Sequence, residues 1–387
     1  MKRRTFLAAA ALAAAFAQPA AAQDAVKIGM ITTLSGPAGY LGQDIRDAMQ
    51  LAIEMGGGKL GGVPVDLVVE DDGLKPGKGR EIADKFMQND GIKLLTGIVF
   101  SNVANAVVPE VVDNGAFYIS PNAAPSTLAG KGCSENYFVV SWQNDALHEP
   151  AGVAATAAGY KSAFVMAPNY QAGKDAIAGF KRTFKGEIVG EVYTPLGQTD
   201  FASGMAQIRA ANPDVVYEFY PGGMGIAFLK QYSQAGFTGK IPMVLSEPSL
   251  DAVILKAVGQ AAVGIEVTSH WNRDFDNAAN KAFVAAWDKK YNRPITTYAS
   301  QGYDTAMLIA SALKEAGSPD NADAFRDALR KADFASVRGK FAFGQNQHPV
   351  QDWYLLKIED VDGTPTAVTQ KKILSDYGDP YASQCKM

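Results

Sequence analysis

The sequence predicts an α/β protein of two lobes, and three observations carry that prediction. Short apolar runs, of the kind that become strands buried on both faces, alternate almost throughout with apolar-periodic stretches of helical length. That pattern argues for parallel sheets covered by helices. The alternation starts at residue 26 and restarts near 139–144, giving two α/β series in a row without residue-by-residue repetition. Helical stretches are left over after the second series, so the chain is expected to cross between lobes more than once, near 141–142, 269–271 and 345–350.

The first residues stand apart from this pattern. Lys2, Arg3 and Arg4 precede an apolar run over 6–16, and Ala20-Ala21-Ala22 offers an A-x-A cleavage signal before Gln23. Residues 1–22 therefore read as a signal peptide, of the Sec type or, from the RRTFL run at 3–7, the twin-arginine type. No cysteine stands at the cleavage point, where Gln23 would be the first residue, which argues against a lipid anchor, and no later stretch approaches 18 uninterrupted apolar residues. The expected address is the periplasm. Cleavage leaves 365 of the 387 residues, with 33 Lys and Arg against 40 Asp and Glu, a net charge of −7. That balance offers nothing to nucleic acid or to an anionic membrane surface. Cys133 and Cys385 are the two cysteines; in an oxidising compartment they read as a disulfide, with two free thiols as the alternative.

In the first series, 26–32 is a strand, 34–42 a loop rich in Gly, and 44–55 a helix ended by Gly56-Gly57-Gly58. A strand at 63–70, the Asp71-Asp72-Gly73 turn and a helix from Pro76 to Gln88 follow, Pro being suited to a first helical turn. Residues 92–99 (IKLLTGIV) form an apolar strand, 103–112 a helix bent at Pro109, and 116–120 (AFYIS) the next strand before a second polar loop at 121–125. Both loops would leave the carboxyl ends of neighbouring parallel strands, where open α/β sheets bind ligands. A helix starting near Ser101 would offer unpaired amides and a hydroxyl to an anion. The competing reading of Ser101 is a plain N-cap.

In the second series, helices are expected at 149–160, 174–184, 201–211, from Pro221-Gly222-Gly223 to 234, and at 249–258. They alternate with strands at 162–167, 187–193, 214–220, 241–245 and 264–269. Long helices at 278–291 and 297–316, a shorter one at 322–331, and hairpin-like strands at 340–343 and 353–359 complete the reading.

Five features then resemble the leucine/isoleucine/valine-binding type of periplasmic solute-binding protein, which serves ABC importers. They are the T-x-S-G-P loop from Thr33 to Pro37, Asp71-Asp72, the stretch 97–101 with 121–125, the N-Y-x-x-G loop at 169–173, and Tyr303-Asp304. The resemblance implies a type I binding-protein fold: two Rossmann-like lobes joined by three crossovers, with the ligand cleft between them. The lobes would be 23–141 plus 272–345 and 142–271 plus 346–387. Carried over position by position, Phe100 and Ser101 fall at the ligand carboxylate, with Asn122, Ala123 and Ala124 in the second loop. Tyr40 or Leu41 falls beside the ligand side chain, Tyr170 stands beside the family's tyrosine position at Ala172, and Tyr220 lies near another family aromatic. Glu247, twelve residues before Gly259, falls where the family binds an ammonium group. Blander readings compete with these: helix-start packing for Tyr40, strand packing for Tyr220, helix capping for Glu247, and hinge packing for Trp142 and Trp271.

The resemblance implies a monomeric transport protein without cofactor or metal, whose partners are a small carboxylate and an ABC permease in the inner membrane. An apolar or branched-chain amino acid is the first expectation because of Glu247. An aromatic or other small carboxylate, or a sensory role, is the alternative, since no Thr lies within 121–125. Catalysis is not expected: His148, His270 and His348 are dispersed, G-x-S-x-G is absent, and neither 56–59 nor 221–225 completes a phosphate loop or a dinucleotide turn.

Overall fold

The computed structural model describes residues 24–387; the leader read at 1–22 lies outside the described residues. The chain forms two α/β lobes. The first holds β1 (Val26–Thr32), α1 (Gly39–Met55), β2 (Lys59–Leu60), β3 (Val63–Asp71), α2 (Pro76–Asp84), β4 (Leu94–Thr96), α3 (Ser101–Asp113), β5 (Phe117–Ser120) and β6 (Tyr137–Val139). Its sheet runs β2-β3-β1-β4-β5-β6, parallel except where β2 folds back on β3. Helices α9 (Ala278–Tyr291), α10 (Thr297–Ala316) and α11 (Ala322–Lys331) complete this lobe. Phe283, Trp287, Leu308 and Phe325 share one buried core with Ile28, Leu95 and Phe117.

The second lobe holds α4 (Asn144–Ala157), β7 (Ser162–Pro168), α5 (Gln171–Thr183), β8 (Glu187–Thr194), α6 (Ala202–Ala211) and β9 (Val215–Glu218). It continues through α7 (Gly223–Gln234), β10 (Val244–Ser246), α8 (Ala252–Val258) and β11 (Glu266–Ser269). Strands β8-β7-β9 meet β10-β11 through a parallel bridge between Val216 and Met243. Alternation along the strands fills two cores, with Phe164 and Val216 on one face and Val165 and Tyr217 on the other. After β12 (Ala342–Phe343), the long strands β13 (Pro349–Val361) and β14 (Thr364–Tyr377) add antiparallel pairing beyond β11.

The chain crosses between lobes three times: after β6, after β11 and between β12 and β13. The crossings are fastened to one another. Arg338, 4% exposed, pairs with buried Asp304 at 3.1 Å. Its Nη1 donates to the carbonyls of Val140 (2.7 Å) and Ser141 (3.1 Å) and to Gln351 Oε1 (2.7 Å). The His270 ring stands 5.2 Å from that of Trp142 and 5.5 Å from that of Trp353, so each crossing contributes one ring. On the same side Cys133 and Cys385 are disulfide-bonded, with 5.7 Å between Cα atoms.

Several elements differ from the sequence expectation; α1, for one, starts at Gly39 and not at 44, and the short strand β2 is additional. The strand expected at 92–99 is confined to β4, because the backbone leaves the sheet at Gly97 with φ +110°. A side chain there would meet Met30 and the Ile31 carbonyl at 2.7 Å, so glycine is needed. The helix expected from residue 149 starts five residues earlier, at Asn144, with the Gln143 side chain capping the Ala146 amide. Pro150 sits inside the helix. The strand β14 was not expected at all; its face pattern is half-exposed throughout, and pairing with β13 defines it.

Candidate functional site

The two sheets share one strand order, β3-β1-β4-β5-β6 in the first lobe and β8-β7-β9-β10-β11 in the second. Each therefore has a topological switch point, between β1 and β4 and between β7 and β9, where α/β sheets open a crevice at the strands' carboxyl ends. A narrow cleft between the lobes, about 20 Å³, lies where these loops meet. From the first lobe come Leu41, Val99, Phe100, Ser101, Asn122, Ala123 and Tyr298. From the second come Leu147, His148, Tyr170, Ala172, Phe219, Pro221 and Pro248, with Trp142 and Asn144 at the first crossing.

Ser101 opens α3, so its amide and that of Asn102 have no carbonyl within the helix to bond. Its Oγ accepts from Asn144 Nδ2 at 3.0 Å, which leaves the hydroxyl hydrogen free to be donated. Asn144 is itself fixed: it donates to Asp175 Oδ2 at 3.0 Å and accepts from the Ala124 amide at 3.2 Å. Ser126 reaches across from the first lobe to Asp175, with its amide at 3.1 Å and its hydroxyl at 2.7 Å. Burial raises the Asp175 pKa against these hydrogen bonds. Together these groups make a corner that presents donors to an anion without a full positive charge.

The rest of the lining is apolar and aromatic. Phe100 and Tyr170 face each other across the cleft with ring centroids 6.2 Å apart. His148 packs edge-on against Phe219 at 4.7 Å, and its Nδ1 meets Tyr217 Oη at 2.6 Å and Ser246 Oγ at 2.9 Å. Burial pushes the His148 pKa down to about 3, so the ring is neutral. Among the described residues lining this cleft there is no Asp, Glu, Lys or Arg.

The residues nominated from sequence divide. Leu41, Phe100, Ser101, Asn122, Ala123, Tyr170 and Ala172 come together in the cleft. Tyr40 instead donates to Asp251 Oδ2 at 2.5 Å, a hydrogen bond between lobes. Ala124 sits behind the lining, its amide held by Asn144. Tyr220 is buried with Phe201 (4.7 Å) and Phe228 (5.3 Å), and Thr194 donates to its hydroxyl at 3.1 Å. Glu247 lines a larger neighbouring cavity, about 600 Å³, beside Leu250, Trp271, Ile295 and Leu356. There it accepts from the Thr297 amide, Oε2 has no partner, and burial followed by the Asp251 charge raises its pKa well above the usual carboxylate range. The smaller cleft remains the candidate site, although it is not the larger cavity, because the switch-point loops and unused donors converge on it. Sequence reasoning missed Asn144, His148, Phe219, Pro248 and Tyr298; the first two needed the earlier start of α4.

A family model for periplasmic binding proteins matches residues 25–364. Leu/Ile/Val-binding protein homolog 6 of Brucella melitensis is 26% identical over 377 residues, covering 94% of this chain and 95% of that protein. A solute-binding protein of an ABC transporter from R. palustris, solved in complex with benzoate, is 33% identical with a TM-score of 0.88, covering 94% of this chain and all of that one. A second, from Rhodopseudomonas palustris BisB5 with 3,4-dihydroxybenzoic acid, is 27% identical with a TM-score of 0.84, covering 92% and 99%.

Proposed function

This chain belongs to the periplasmic binding protein family and is an ABC-type solute-binding protein, and from that premise we propose that it is exported to the periplasm and closes its lobes on a small aromatic carboxylate. The observation that carries this reading is the pairing of an anion corner at Ser101 with an aromatic, acid-free lining. A carboxylate would take the Ser101 hydroxyl and the first amides of α3, charge-assisted hydrogen bonds worth about 1.5–3 kcal/mol each once closure excludes water. A flat ring would enter between Tyr170, Phe100 and Phe219 as these side chains and the lobes part to make room, since the cleft as it stands holds about 20 Å³. The benzoate and dihydroxybenzoate complexes of similar proteins support the same ligand class.

Closure follows from differential affinity: a ligand touching both lobes stabilises the closed arrangement over the open one. The closed form would then be handed to a membrane permease. An apolar amino acid is the second reading, favoured by the unpartnered Oε2 of Glu247 and by the name of the Brucella relative. Titration calorimetry of the purified mature protein separates the two. Benzoate is expected to bind at one site at least tenfold more tightly than leucine, and Glu247→Gln is expected to leave its affinity within twofold. Tight leucine binding that Glu247→Gln destroys would establish the second reading instead.

A further inference from the structure

We infer that Asp175 is a positioning residue for the ligand carboxylate: acting through Asn144, it sets the direction in which Ser101 donates its hydroxyl hydrogen. The inference rests on the reading of a carboxylate at Ser101 and deepens it by naming the group that holds that donor in place.

The first observation is the set of bonds at Asp175, which is 3% exposed. Its Oδ1 accepts from the Ser126 hydroxyl at 2.7 Å and from Gln171 Nε2 at 2.8 Å. Its Oδ2 accepts from the Ser126 amide at 3.1 Å and from Asn144 Nδ2 at 3.0 Å. All of these donors are neutral groups. An ionised carboxyl can only accept, so it admits only the NH2 end of the Asn144 amide.

The second observation is the other end of that amide. Asn144 Oδ1 accepts from the Ala124 amide at 3.2 Å. Turning the side chain over would set N–H against N–H and oxygen against carboxylate, so the partners fix its orientation. The two hydrogens on Nδ2 are thereby committed, one to Asp175 and one to Ser101 Oγ at 3.0 Å. Ser101 accepts in that bond, and its own hydrogen is turned away from Asn144. With the carboxylate gone the amide is freer to turn, and the hydroxyl can donate to Asn144 Oδ1 and be lost to the ligand.

The third observation is where the partners stand. Ser126 belongs to the first lobe, after β5, and Asp175 to α5 of the second, so both bonds from Ser126 cross the boundary. The bond from Asn144 to Ser101 crosses it too. Closing the lobes completes the set, and the Ser101 donor is aimed in the state that encloses the ligand.

Calorimetry with benzoate on wild type, Asp175→Leu and Asp175→Asn, each with Ser101 kept and with Ser101→Ala, tests this. Asp175→Leu is expected to weaken benzoate about tenfold where Ser101 is kept and less than about twofold where it is replaced. Asp175→Asn, whose amide oxygen can still accept from Asn144, should stay within about threefold of wild type. Equal weakening by Asp175→Leu in both backgrounds would leave Asp175 a merely structural role and overturn the inference. Unchanged or tighter binding by Asp175→Leu with Ser101 kept would overturn it as well. If wild type binds leucine and not benzoate, the aromatic class fails, and the same cycle run with leucine, which also carries a carboxylate, decides the inference. A wild type that binds neither removes the carboxylate reading and the inference together. Hydrogen exchange followed by NMR on liganded wild type is a check that no variant has to survive. Both Nδ2 hydrogens of Asn144 should be protected from water; fast exchange of either overturns the inference.

Discussion

The two sides of the interlobe boundary are built from different chemistry. On the crossing side, Arg338 and Asp304 form a buried ion pair, Arg338 also holds two backbone carbonyls, and a disulfide joins Cys133 to the tail at Cys385. On the cleft side the lobes meet through separate hydrogen bonds: one from Tyr40 to Asp251, two from Ser126 to Asp175, and one from Asn144 to Ser101. Contacts of the first kind are strongly destabilising to break; those of the second kind are each worth about 0.5–3 kcal/mol and can be exchanged with water and ligand. A molecule built this way keeps one edge of its boundary fixed and lets the other open.

Breaking the fixed side should give the largest effect. Arg338→Met leaves Asp304 buried without its partner, and a loss of about 3–5 kcal/mol in urea denaturation is expected. A loss below about 1 kcal/mol would show that the crossings are held by something else. Replacing both cysteines, Cys133→Ser with Cys385→Ser, should cost about 2–5 kcal/mol and leave ligand affinity within twofold, because the bond lies away from the cleft. On the opening side the effects should move to binding. Ser101→Ala removes one donor and should weaken benzoate about tenfold, roughly 1.4 kcal/mol, with stability changed by less than about 1 kcal/mol.

The smallest expected effect is a fraction of a proton. Burial raises the Asp251 pKa to about 7, against an ordinary value of 3.8, although the hydrogen bond from Tyr40 of the facing lobe opposes the shift. Asp44 shares this environment and is raised to about 6. A carboxyl whose pKa rises on closure favours the closed form below its ordinary value and loses that contribution as pH climbs through 7. Between about pH 4 and 7, closure should therefore take up protons. Calorimetry in buffers of different ionisation enthalpy should detect the uptake at pH 6 in wild type and find less in Asp251→Asn. Equal uptake in the two proteins would move the titrating group elsewhere.

Much of the architecture was legible because strand and helix periods alternate so regularly. The loops of the site were legible too; the side chains within them were less so. Along β9 and the residues after it, successive side chains face opposite ways, so a reading displaced by one residue selects Tyr220, which is in the core, instead of Phe219 and Pro221, which line the cleft. The same displacement separates Glu247 from Pro248. Asn144 and His148 lie ahead of residue 149, where the sequence reading starts the helix, and so were not placed on α4. Strand β14 carries polar and charged residues on both faces, so no alternation announces it.

A crystal structure of the protein with benzoate bound tests the central claim most directly. The account places the carboxylate on the Ser101 hydroxyl and the first amides of α3, with the ring between Tyr170 and Phe219 and both lobes in contact with it. Benzoate seated instead in the cavity beside Glu247 and Ile295, or touching one lobe only, would contradict it.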